Sequence, residues 1–139
     1  MTEAGRMTER ELLENFSCLT DWEDKYRYLI ELGDALPAFP EADKTPAHAV
    51  PGCQSRVWMT HRRRGDRHFF NIAGDAHIVR GLAAILLVLV DGRTVAEIQS
   101  VDFDAAFRRL GLLEHLSPTR RNGFASLVQR VQESAREDA

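Results

Sequence analysis

The chain has few cysteines, no long apolar run and no excess of positive charge, and each shortage removes a class of function. Its 139 residues include two cysteines, Cys18 and Cys53, with no CxxC pair. A structural zinc site takes four Cys or His ligands at close spacing, and no such set is visible. An iron–sulfur cluster normally calls for three or four cysteine ligands, so this chain is a poor cluster scaffold by itself. The longest apolar run, Leu82 to Val90, is nine residues, far short of the ~20 that a spanning helix requires. The opening MTEAGRMTERELLENF lacks the apolar stretch of a signal peptide. These features predict a cytoplasmic protein that is not membrane-bound and whose thiols are free. Lys and Arg number 18 against 21 Asp and Glu, for a formal charge of −3. That argues against nucleic-acid binding, which needs a net basic face to displace counterions from phosphates. The run His61-Arg62-Arg63-Arg64 is the local exception.

What is present is ordinary globular composition, 44% apolar and 28% charged. The length predicts a single domain over residues 1–139, with an ordered part from about 8 to 135 and a core that needs neither metal nor disulfide. Thr8 with Glu11 reads as a capping box for a helix to about Leu19, with Leu12, Leu13, Phe16 and Leu19 on one stripe. Asp21 caps a second helix to about Leu36, with Trp22, Tyr26, Leu29, Ile30 and Gly33 inward. Four of the five prolines, at 37, 40, 46 and 51, mark a loop from Pro37 to Gly52, and unstructured loops of such length are often functional.

Two strands follow, Ser55 to His61 and Arg67 to Ala73, joined by a turn at Arg63-Arg64-Gly65-Asp66 into an antiparallel hairpin. In the first strand Trp58 falls on the nominally polar side. Asp75 reads as the cap of a helix from His77 to Val90 that is apolar nearly all round and therefore buried. Thr94 and Glu97 form a second capping box, Asp102 to Leu110 a further helix closed by Gly111, and Ser117-Pro118 opens the last helix to about Ala135. The sum is an α+β fold, five or six helices on a small antiparallel sheet.

The segment Val50-Pro51-Gly52-Cys53-Gln54-Ser55 carries the most chemical information. It puts a cysteine on a loop before a strand, with Pro51 stiffening the approach and Gly52 free to adopt backbone angles closed to other residues. Such a cysteine is either a reactive thiol, exposed and activated by nearby positive charge, or a small apolar group in the core. Gly52-Cys53-Gln54-Ser55 followed by Val57-Trp58 resembles the active-site segment of the SufE family of sulfur-acceptor proteins. The resemblance continues through Asn15-Phe16, Asp21 to Tyr26, Ile30 to Gly33, Gly74-Asp75-Ala76, Ile78 to Leu82, Phe103, Phe107, His115 to Arg120 and Gly123. It covers about 125 residues in order, from Leu12 to near Ser134.

The resemblance implies a carrier rather than a free-standing enzyme. Cys53 matches the cysteine that accepts persulfide sulfur from a pyridoxal-phosphate cysteine desulfurase of the SufS or CsdA type, stimulates that enzyme and relays sulfur toward iron–sulfur cluster assembly. It implies no cofactor or metal in this chain, the pyridoxal phosphate belonging to the partner. Because a persulfide must be shielded from water and oxidants, the thiol is expected to rest against apolar residues and swing out on docking, with the long loop as hinge. Cys18 matches nothing functional. Gly52, Gln54, Asp75 and Arg120 match positions near the loop or the partner, and each also has a structural reading: turn glycine, strand entry, helix cap and solvated first-turn charge. His48 is either a base for Cys53 or a loop histidine, and Arg62 to Arg64 either a solvated tip or a contact for an acidic partner. The rival reading is a stand-alone peroxidase or hydrolase built on Cys53, which would need a base and an orienting group beside the thiol.

Overall fold

A computed structural model of the chain describes residues 7–52 and 56–137. The first helix, α1 (Glu9–Ser17), starts where the capping box predicts, with Thr8 Oγ1 accepting from Glu11 N–H and Glu11 Oε1 accepting from Thr8 N–H. Its Leu12 and Phe16 are buried. Asp21 caps α2 (Trp22–Asp34) through the Asp24 N–H at 3.0 Å. Leu29 and Gly33 are the buried residues of α2. Tyr26, expected inward, is exposed and tilts against Trp22 at 6.0 Å. Tyr28 is the tyrosine that packs toward the core, edge-on to Phe16 at 5.1 Å.

After the proline-rich stretch, which contains short 3-10 turns at Glu41–Asp43 and Pro46–His48, the chain forms the antiparallel hairpin β1 (Val57–Arg64) and β2 (Arg67–Gly74). A two-stranded ribbon leaves both outer edges with unpaired backbone groups, and here each edge receives a short bridge. On the β1 side Ala49 bridges to Trp58, and Val50 N–H donates to Val57 C=O at 2.9 Å. On the β2 side His68 bridges to Arg93, and Phe70 N–H donates to Asp91 Oδ1 at 2.7 Å. The first bridge accounts for Trp58. Its ring has Lys44 Nζ at 5.5 Å and the Arg56 guanidinium at 5.4 Å, and it is 9% exposed despite its place in the alternation.

The hairpin lies on α3 (His77–Val90), nine of whose residues are buried. Four further elements complete the core: α4 (Val95–Ser100), α5 (Phe103–Arg109), a 3-10 turn at Leu113–His115, and the long α6 (Pro118–Glu137). The N-cap of α3 is Ala76, with no side-chain hydrogen bond, rather than Asp75. The Asp75 carboxylate is instead drawn to Arg56, whose Nε donates to Oδ2 at 3.0 Å. Buried side chains from α1 to α6 form one continuous apolar cluster.

Packing of α2 on α3 depends on two glycines. A Cβ on Gly81 would run into the Leu29 carbonyl oxygen and approach its carbonyl carbon to 2.9 Å, and one on Gly33 would sit 2.8 Å from the Gly81 nitrogen. The obstacle is backbone and cannot rotate away. Gly81→Ala is therefore expected to destabilise the protein, because overpacking of about 1–3 kcal/mol or more outweighs the ~1 kcal/mol gained in helix propensity. Denaturant unfolding measures the difference. A second expectation concerns Glu97. The Thr94 backbone N–H donates to its carboxylate and holds its pKa below the usual carboxylate range. A carboxyl whose folded pKa is depressed stabilises above its unfolded value, and that contribution fades as pH falls through the folded one. The stability gap between wild type and Glu97→Gln should thus be open at neutral pH and close in acid, read from melts across pH 2–7, a range of about five units.

Candidate functional site

Cys53, Gln54 and Ser55 lie outside the described residues, but both ends of their segment are described. On the incoming side, Gly52 has φ +87° and lies against α6, where an added Cβ would collide with Ser126 Oγ and stand 3.2 Å from Ser126 Cβ. On the outgoing side, Arg56 C=O accepts from Asp75 N–H at 3.1 Å while Arg56 Nε donates to the Asp75 carboxylate. That ion pair is largely exposed and contributes at most about 1 kcal/mol. Its effect is geometric, since it joins the loop exit to the entrance of α3.

Beside these anchors is an apolar cleft of about 260 Å³, lined by Val57, Ala76, Ile78, Val79 and Leu82 on one wall. Thr119, Arg120, Gly123, Phe124 and Leu127 of α6 form the other. At 100° per residue, Thr119, Gly123, Ser126, Leu127 and Arg130 share one stripe of α6. The helix therefore presents the cleft wall, the contact for Gly52 and a cation along a single face. Arg120 stands at the rim of the cleft, exposed, with its backbone N–H donating to the Ser117 cap at 3.3 Å. Arg120 lines this cleft, Asp75 adjoins Ala76 of its wall, and Gly52 lies against Ser126 of the same helix.

Further back along the loop, Arg130 reaches across from α6. Its Nη1 donates to Ala49 C=O at 3.2 Å and its Nη2 to Ala47 C=O at 3.3 Å. Nothing in the sequence pointed to this residue, because its partners lie about eighty positions earlier in the chain. His48, weighed as a base, is built into the turn: Nδ1 lies 2.8 Å from Asp43 C=O, to which it can donate, and 3.3 Å from Thr45 Oγ1. Arg62, Arg63 and Arg64 are exposed at the hairpin end. Sequence reading also missed the pairing of His61 with the buried His68, Nε2 to Nδ1 at 2.8 Å. The hairpin register held the signal, since His61 faces Phe70 and His68 lies diagonally beside it. Cys18 is an exposed free thiol at the end of α1.

Among the described residues, no group of three or more His, Cys, Asp or Glu side chains is placed to hold a metal ion, and no helix is long and apolar enough to cross a membrane. The positive φ at Gly52 and its contact with Ser126 make a joint prediction. Gly52→Ala should cost about 1–2 kcal/mol from the left-handed backbone alone, plus a steric share. In the Ser126→Gly background, which removes both crowding atoms, Gly52→Ala should cost only the backbone share, read by chemical denaturation against Ser126→Gly alone.

Comparison with known proteins agrees with this architecture. The chain is 44% identical over 130 residues to an uncharacterized SufE-like protein of Rhizobium etli, covering 91% of this chain and 88% of that protein. It is 42% identical over 129 residues to another from Rhizobium meliloti, covering 90% and 92%. It is 43% identical over 127 residues to the sulfur acceptor protein CsdE of Escherichia coli, covering 90% and 86%. In fold it is similar to the solution structure of a hypothetical protein from Thermus thermophilus, with a TM-score of 0.74 and 22% identity over 94% of this chain and 97% of that one. The family model described as SufE, Fe-S metabolism associated domain, matches residues 10–135, and the chain belongs to the SufE family.

Proposed function

We propose that this chain is a sulfur acceptor that takes sulfane sulfur onto Cys53 from the persulfide of a cysteine desulfurase. Membership of the SufE family and the likeness to a protein named for sulfur acceptance support the reading. The observation that carries it is that Gly52 and Arg56, the residues flanking positions 53–55, are both tied down beside an apolar cleft.

The chemistry needs one thiol. The Cys53 thiolate attacks the terminal sulfur of the donor's Cys–S–SH group. A new S–S bond forms on Cys53, the donor's S–S bond breaks, and the donor cysteine leaves as thiolate, so no external oxidant or reductant is consumed. The same exchange, run toward a thiol of an iron–sulfur scaffold or another acceptor, unloads the chain. The pyridoxal phosphate that generates the donor persulfide belongs to the desulfurase, and removing the product sulfur is how the carrier stimulates it. A persulfide exposed to oxidants climbs the cysteine oxidation ladder. The cleft of Val57, Ile78, Leu82, Phe124 and Leu127 offers an apolar wall against which the sulfur is shielded between partners.

The test is to mix the protein with a SufS- or CsdA-type desulfurase and labelled cysteine, then weigh the Cys53 peptide. One added sulfur is expected in wild type and in Cys18→Ser, and none in Cys53→Ser. If Cys53→Ser still relieves product inhibition of the desulfurase at the wild-type rate, the transfer role is wrong.

A further inference from the structure

We infer that Arg130 is the positioning residue of the acceptor loop, a two-pronged clamp that fixes the incoming end of the segment bearing Cys53. The inference rests on the assignment of Cys53 as acceptor and adds a regulator of that site's accessibility.

Arg130 is half-buried on the stripe of α6 that faces the loop, and its two terminal nitrogens donate to the carbonyls of Ala47 and Ala49. The guanidinium is a rigid planar fork, so two bonds to carbonyls two residues apart specify the orientation of the chain as well as its position. One helical turn earlier on that stripe, Ser126 meets Gly52. Four residues of helix rise about 6 Å, and the three residues from Ala49 to Gly52 extend at most about 10 Å. The two contacts therefore hold a stretch with little slack.

They differ in kind. The Gly52 contact is van der Waals, whereas the Arg130 contact is a pair of charge-assisted bonds to carbonyls of a partly buried turn, the stronger class. Ala49 is also bridged to β1, and Val50 N–H bonds Val57 C=O. Arg130 thus reinforces the point at which the loop joins the sheet. With the clamp gone, Ala47 loses its tie to α6 and the approach to position 53 is held only by the Ala49 and Val50 bonds to β1 and the Gly52 contact, so a reagent should reach the thiol more readily.

The experiment compares alkylation of Cys53 with that of exposed Cys18 in the same molecule, using iodoacetamide and peptide mass analysis, so that reagent and pH effects cancel. Arg130→Met keeps the aliphatic stem and removes the donors, and Arg130→Lys restores charge and donors without the fork. The Cys53/Cys18 rate ratio should rise at least fivefold in Arg130→Met and to an intermediate value in Arg130→Lys, with circular dichroism unchanged. A ratio within twofold of wild type in folded Arg130→Met overturns the clamp. If Arg130→Met does not fold, Arg130→Lys decides on the same terms: a wild-type ratio rejects the need for the fork, and a raised one supports it. No sulfur donor is present, so the ratio reads the clamp even where the wild-type protein takes up no sulfur.

Discussion

The contact between the backbones of α2 and α3 sets the rest of the molecule. At Gly33 and Gly81 nothing larger than hydrogen fits between the helices, so α3 is pressed onto α2 and its remaining apolar surface turns to the hairpin and α6. Burying an aliphatic side chain such as Ile85, Leu86 or Leu89, all at 2% exposure or less, is worth about 1.5–3 kcal/mol. The apolar character of α3 is therefore the main driving force available to this fold. Its N-terminal end then lies beside the start of β1 and opposite α6. The cleft is the space left where three elements meet without filling the corner.

The hairpin explains why the loop lies where it does. Two strands alone make a marginal sheet, and this one gains backbone partners at both edges from segments that are not strands. On the β2 side the partner is the short stretch after α3, locked by the Asp91 carboxylate. On the β1 side it is the proline-rich loop. The segment that carries the candidate thiol is therefore also the edge protection of the sheet. That dual duty ties the chemistry to the stability of the hairpin and gives α6 a reason to hold the loop with Arg130.

Local chemistry was legible in the sequence and long-range chemistry was not. Both capping boxes, the Asp21 and Asp102 caps and the bounds of α3 follow from residues close together in the chain and form as read. The hairpin forms too, but β1 runs on to Arg64, and Arg63 and Arg64, read as turn, pair with His68 and Arg67 because the turn itself needs only Gly65-Asp66. The other misreadings share a cause, which is competition from a distant partner. Asp75 leaves the helix end because Arg56, nineteen residues away, draws its carboxylate. Trp58 is covered by a loop that the alternation of a strand cannot anticipate. Tyr26 yields the inner place to Tyr28, since Phe16 of α1 offers its edge there. Arg130 reads as one more charge on a polar helix until Ala47 and Ala49 come alongside.

The surroundings of Trp58 have an optical consequence. Its indole is approached by a cation of the loop, Lys44, and by Arg56 just before β1, with Ala49 bridged to its own backbone. Any change that strips this cover would admit water to the chromophore and shift its emission to longer wavelength. Trp22 is stacked on His115 at 4.4 Å, in a different part of the chain. The two tryptophans of the chain thus report on different surroundings, Trp58 of β1 on the cover that the loop gives it and Trp22 of α2 on its stack with His115.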